Sequence, residues 1–136
     1  MKSKLSFVDV LANCIRLVEN KTGKRCYDHI PLNAPLPHYS AEIVGQEPVP
    51  SKTMWKESFD VYIHSFAQGP SSMGIFDAIQ EVEEAFTIKL PLPDGYQVLM
   101  QQPMGLQAQI MNNEDGSKHA VTGYKITILY GYKTKN

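Results

Sequence analysis

Two glycines, Gly69 and Gly74 in "GPSSMGIF", stand at the spacing of the phosphate-binding loop G-x-x-x-x-G-K-[ST]. In such a loop, backbone N–H groups surround the phosphates, a lysine neutralises the outer ones, and a Ser or Thr hydroxyl reaches the magnesium. Here Ile75 and Phe76 occupy the Lys and Ser/Thr positions, and the run "FDAIQEVEEAF" that follows carries Asp77, Glu81, Glu83 and Glu84 with no basic residue. Without the cation the stretch reads as a strand-to-helix joint that binds no nucleotide. Ser71 or Ser72 is the expected N-cap, its hydroxyl accepting an orphan N–H of the first turn, and Pro70 sets the chain direction before it.

The remaining reactive side chains are scattered in the sequence. Of the histidines His29, His38, His64 and His119, none is spaced i, i+4 on a helical run and none has a CxxC nearby, so no metal site is expected. His38 with Asp28 has the residue types of an acid–base pair, and Ser40 those of a nucleophile. No G-x-S-x-G elbow or comparable context surrounds them. Glu81, Glu83 and Glu84 read as a solvated face or as one that meets a basic partner. Cys14 and Cys26 are twelve positions apart with no CxxC partner, which suits reduced thiols in a cytoplasmic setting. The expectation is a protein without catalytic residues and without a cofactor.

The elements that would position these residues follow from periodicity. Residues 5 to 20 place Phe7, Val10, Leu11, Cys14, Ile15 and Val18 on one helical stripe, with Gly23 as the stop. "KRCYD" is a short strand candidate. Pro31, Pro35 and Pro37 then hold an extended loop that leads into the strand "HYSAEIV". Residues 45 to 55, "GQEPVPSKTMW", read as a long hairpin loop because Pro48 and Pro50 cannot donate to a ladder. "KESFDVYIHSF" alternates cleanly, with aromatics on both faces, and is expected as a central strand covered on both sides in some assembly. A second helix, about 72 to 87, buries Ile75, Ala78, Ile79, Val82, Ala85 and Phe86 and exposes an acidic face. "YQVLMQQ" and "GLQAQIMN" follow as strands separated at Pro103 and Gly105. "NEDGSK" is a turn, and "AVTGYKITILYGYK" is the last strand. The order αβββαβββ implies an α+β fold: a mainly antiparallel sheet with two amphipathic helices packed on one face. One domain is expected over 1–136.

Composition narrows the function classes. The chain has 136 residues, a formal net charge of −1, and is 43% hydrophobic and 20% charged. That charge offers no positive patch for a nucleic acid backbone, so no sequence-specific nucleic acid partner is expected. No apolar run approaches the roughly 20 residues of a membrane span. Asp9, Asn13 and Arg16 interrupt the N-terminal apolar residues, so the start does not read as a signal peptide. Seven tyrosines and six methionines are interface-building material. A ring of such subunits needs one patch to meet a different patch on the neighbour. The acidic residues Asp77, Glu81 and Glu84 offer one sign, and Lys52, Lys56, Lys125, Lys133 and Lys135 the other. The 45–56 arm, with Pro48, Pro50, Lys52, Met54 and Trp55, is the expected docking element. Trp55 sits at its root, where it can equally close the sheet.

In their order, the pieces "CYDHIP", "APLPHYSAEIVGQE", "WKESFDVYIHSFAQG", "MGIFDAIQEVEEAF" and "YKITILYGY" resemble the small tail-completion proteins of long-tailed bacteriophages and prophages, also called tail terminators or tail-to-head joining proteins. The resemblance covers about 5 to 132. It implies a non-enzymatic virion protein that caps the tail tube as a six-fold ring and docks it to the connector below the capsid. Implied partners are further copies of the chain, the head-completion or connector protein and the tail tube protein. The implied location is the virion tail, assembled in the host cytoplasm. The "GQEPVPSKTMWKES" hairpin and the "NNEDGSK" turn are longer than in a minimal member, which bears on the partner surface. The rival class is a non-enzymatic small-molecule or peptide-binding α+β module, which would show a deep apolar pocket and a monomer.

Overall fold

A computed structural model describes residues 4–133. Helix α1, Phe7–Thr22, starts at Ser6, whose Oγ accepts the N–H of Asp9, and ends at Gly23 in the left-handed region (φ 71°). It buries Val10, Cys14, Leu17 and Val18. Phe7 is exposed at the stripe's end but sets its ring edge-on to Phe59, with centroids 5.6 Å apart. Then follow β1 (Cys26–Tyr27), β2 (His38–Val49), β3 (Met54–Gln68), helix α2 (Met73–Ala85), β4 (Gln97–Leu106), β5 (Met111–Asn112) and β6 (Ser117–Tyr132).

The strands form one sheet in the order β1-β2-β3-β6-β4, with β5 also on β6. Every pairing is antiparallel except β1 with β2. The fold is α+β. Alternation decides the faces: Phe59, Val61 and Ile63 of β3 pair with Ile126, Tyr124 and Thr122 of β6, and together with Tyr39 and Ala41 they meet the helices. Ala78, Val82, Ala85 and Phe86 press on this face, and the Phe86 ring stacks on Tyr124 at 4.1 Å. Burying Val82 or Phe86 contributes about 1.5–3 kcal/mol each relative to exposure, and the alanines less. Neither described helix lies over the opposite sheet face.

Three expectations change. Residues 45–49 are not loop: the ladder continues through Gln46↔Phe59, Glu47↔Ser58, Pro48↔Glu57 and Val49↔Lys56, leaving 50–53 as the turn. An edge strand tolerates proline because an N–H that faces away from the neighbour costs no ladder bond. For the same reason β4 runs through Pro103 and Gly105, with only a register shift there. Ile79, expected on the buried stripe of α2, is only half-buried, whereas Ile75 is fully buried.

Candidate assembly surfaces and the histidine cluster

The glycine-spaced loop is an architectural joint. A Cβ on Gly69 would lie 2.3 Å from the carbonyl oxygen of Gly116, so the glycine allows two backbones to touch. At the helix start Ser72 makes no side-chain cap bond; Ser71 Oγ instead accepts the N–H of Met73. The Lys118 side chain passes 3.7 Å from the same Cβ position, but its Nζ donates to Asn112 Oδ1 at 2.5 Å, and the joint exposes Met73 and Phe76.

The bare sheet face gathers three histidines that are far apart in the chain. The register sets His38 opposite Phe66, Ser40 opposite His64, and Phe66 opposite His119. The Phe66 ring is stacked between His38 (4.9 Å) and His119 (4.2 Å). His64 Nε2–H donates to Glu42 Oε1 at 2.6 Å, and His64 Nδ1 meets His119 Nε2 at 2.8 Å. With Glu42 ionised and both rings neutral, His119 Nε2–H donates to His64 Nδ1 and each ring keeps one proton. Burial, then the neighbouring His64, holds His119 below the usual imidazole range. This is a carboxylate–imidazole–imidazole chain, and among the described residues no hydroxyl or thiol hydrogen-bonds to it. The imagined His38–Asp28–Ser40 site does not assemble: His38 Nδ1 meets the Pro35 carbonyl at 2.9 Å, and Asp28 is exposed. No group of three His, Cys, Asp or Glu among the described residues is placed to hold a metal ion. Sequence spacing missed the cluster because it is a product of strand register alone.

The predicted docking residues fall in two separate places. Pro48, Pro50, Lys52, Met54 and Trp55 form the β2–β3 hairpin end, with Pro48, Pro50 and Lys52 exposed and Met54 and Trp55 half-buried. Trp55 pairs with Gly131, and Lys133 Nζ lies 4.6 Å above its ring. Lys133 also bonds the Ser51 and Thr53 carbonyls, so the chain's last strand clamps the turn. On α2, Asp77 and Glu84 are exposed. Glu81 is not free: it takes Lys24 as an ion pair and accepts a bond from the Tyr39 hydroxyl at 3.3 Å. Lys125 is likewise committed, to Asp60 at 2.9 Å, and Lys133 to the hairpin carbonyls, which leaves Lys52 and Lys56 as the described lysines of the set without either kind of partner. Lys135 lies outside the described residues.

A cavity of about 710 Å³ lies between the 29–36 loop and the β5–β6 turn. Its rim residue Leu32 is 92% exposed, and His29, Asp115 and Ser117 add polar walls, so it is an open trough and not a deep apolar pocket. Buried Cys14 and Cys26 are free thiols, pushed up to about 12 by desolvation. No described helix is long and apolar enough to cross a membrane.

Among the described residues, helices cover one face of the sheet and Lys133 clamps the hairpin end. The whole chain, residues 1–136, matches the family model described as "Putative tail termination protein". The chain belongs to the phage tail terminator family. It is therefore a tail structural protein of phage type, as the order of its elements implied. A chain from the virion of a native gene transfer agent (GTA) particle has the same fold: TM-score 0.58 at 13% identity, covering 93% of this chain and 99% of that one. No curated protein matches it.

Proposed function

We propose that this tail terminator caps the phage tail tube as a ring, with six copies the expected number, and joins it to the head connector, acting as one unit over 1–136 and not as an enzyme. The observation that carries the reading is the match of the entire chain to tail termination proteins. Its geometry supplies what a joining ring needs. The hairpin end, with Pro48, Pro50, Lys52, Met54 and Trp55, projects from the sheet and is held rigid by Lys133, so it meets a partner already ordered. Asp77 and Glu84 lie on the other layer, on α2, and give a second patch of opposite sign to Lys52. Glu81 serves the fold and positions Lys24. The partners are further copies of the chain, the connector protein and the tube protein, and assembly takes place in the host cytoplasm.

Electron microscopy of lysates from a phage or prophage lacking this gene tests the reading. The expected field contains separate heads and tails, and joined particles return when the gene is supplied in trans. Normally joined particles without the gene would overturn it. Replacing exposed Lys52 with Glu in the complementing copy is expected to leave the fold intact by circular dichroism and to lower the yield of joined particles.

A further inference from the structure

Two long sheet edges have no strand partner among the described residues. β1 pairs only with Tyr39 and Ser40, so β2 from Ala41 to Val49 is bonded to β3 alone. On the far side, β4 is bonded to β6 alone. No backbone–backbone hydrogen bond outside these ladders ties either stretch to another described segment; the Gln101 side chain reaches across, donating to the Phe86 and Ile88 carbonyls and accepting the Leu90 N–H.

The β4 edge keeps Pro103 and register shifts at Leu99 and Met104 but lacks protection by charge. Natural edges are blunted with charged side chains, above all lysine, because bare N–H and C=O groups recruit other strands. The run 95–113 contains no Asp, Glu, Lys, Arg or His, although the chain as a whole is 20% charged. Within β4 it exposes Leu99, Met100, Met104 and Leu106. Depletion of charge together with methionine is the composition of an interface centre, where Met adapts to the surface it meets.

The chain also carries a matching edge. β2 and β6 run one way, β3 and β4 the other. Rotation about an axis along the strands leaves these directions unchanged from copy to copy. The neighbour's β2 therefore arrives antiparallel to β4, and each copy keeps one edge of each kind, so the contact is head-to-tail and can close. Pro103 and Pro48 cannot donate, which limits the new ladder to about 97–102 against 41–47. Val44, exposed on β2, supplies an apolar side chain within that stretch.

We propose that the uncharged β4 edge of one subunit pairs antiparallel with the β2 edge of a second copy, so that the sheet runs unbroken between ring neighbours. The inference rests on the ring reading above. Two single variants, Met100→Cys and Val44→Cys, are mixed and oxidised, with Gln97→Cys and Glu42→Cys as alternative registers. The native thiols are buried and do not compete. The expected result is a disulfide-linked dimer only in the mixture and a ladder of linked multimers from the double variant. Met100→Lys is expected to keep its melting temperature within about two degrees, since the site is exposed, and to lose the ring in native mass spectrometry. Cross-linking of Met100→Cys with itself would mean a two-fold β4–β4 contact and overturn the inference. A wild-type ring with no cross-link in any register, unaffected by Met100→Lys, would overturn the inference and leave the ring reading standing. A wild-type protein that stays monomeric would overturn both. Should Met100→Lys unfold, the cross-linking pattern decides alone.

Discussion

Replacing Phe86 with alanine removes the ring that seals α2 against the sheet. The side chain is 5% exposed and stacks on Tyr124 at a centroid separation of 4.1 Å, with the planes 14° apart. Both residues sit in the main core with Val82, Ile126 and Ile128, which are fixed by the strand ladder and helix and cannot collapse into the void. A Phe-to-Ala truncation in such a site costs about 3–5 kcal/mol. The unfolding entropy of a 136-residue chain is roughly 0.29 kcal/mol/K at about 2.1 cal/mol/K per residue. The melting temperature should therefore fall by about 10–17 °C. Phe76, ten positions earlier and 56% exposed, is the internal control: Phe76→Ser should shift the melt by less than about 2 °C. Thermal unfolding of both variants, followed by far-ultraviolet circular dichroism and by calorimetry, makes the comparison. Equal shifts for the two variants, or a fall below about 3 °C for Phe86→Ala, would refute the assigned face of α2.

Gly69→Ala puts a methyl 2.3 Å from the Gly116 oxygen, a backbone atom that cannot swing away, so a loss of about 1–3 kcal/mol is expected in urea unfolding. The same joint is expected to give no saturable amide shifts on titration with ATP and magnesium. His119 binds its proton less readily in the folded chain than in the unfolded one. Its contribution to stability is thus fully present above its ordinary pKa of about 6.5 and is lost as the pH falls through the folded-state value. The melting temperature should decline from pH 7.5 to pH 5, with a shallower decline in His119→Asn. Cys14 and Cys26, pushed up to about 12, should react with iodoacetamide at pH 8 on the order of 10³-fold more slowly in the native protein than after denaturation, as mass spectrometry would report.

The parts legible in the sequence were those governed by local period. The stripe Val10, Cys14, Val18 and the stripe Ile75, Ala78, Val82 each name a buried helix face, and the alternation Phe59, Val61, Ile63 names the sheet face beneath them. What period could not supply was edge position. A proline in a run reads as a break, yet Pro48 and Pro103 both lie in strands because each strand has one side without a neighbour. Contacts between distant residues were invisible for a different reason. His38, His64 and His119 meet only because of the register of β2, β3 and β6, and Gly69 is required by Gly116, a residue on another turn. The docking residues were named from composition, which marks side chains suited to an interface but not those already occupied. Trp55 is held by Lys133, and Glu81 by Lys24 and Tyr39.

Cryo-electron microscopy of the head–tail junction in assembled particles tests the central claim most directly. The account predicts a closed ring of this chain at the head-proximal end of the tail tube, with the 50–53 turns in contact with the adjoining protein. A junction built without this chain, or density for it elsewhere in the particle, would contradict the account.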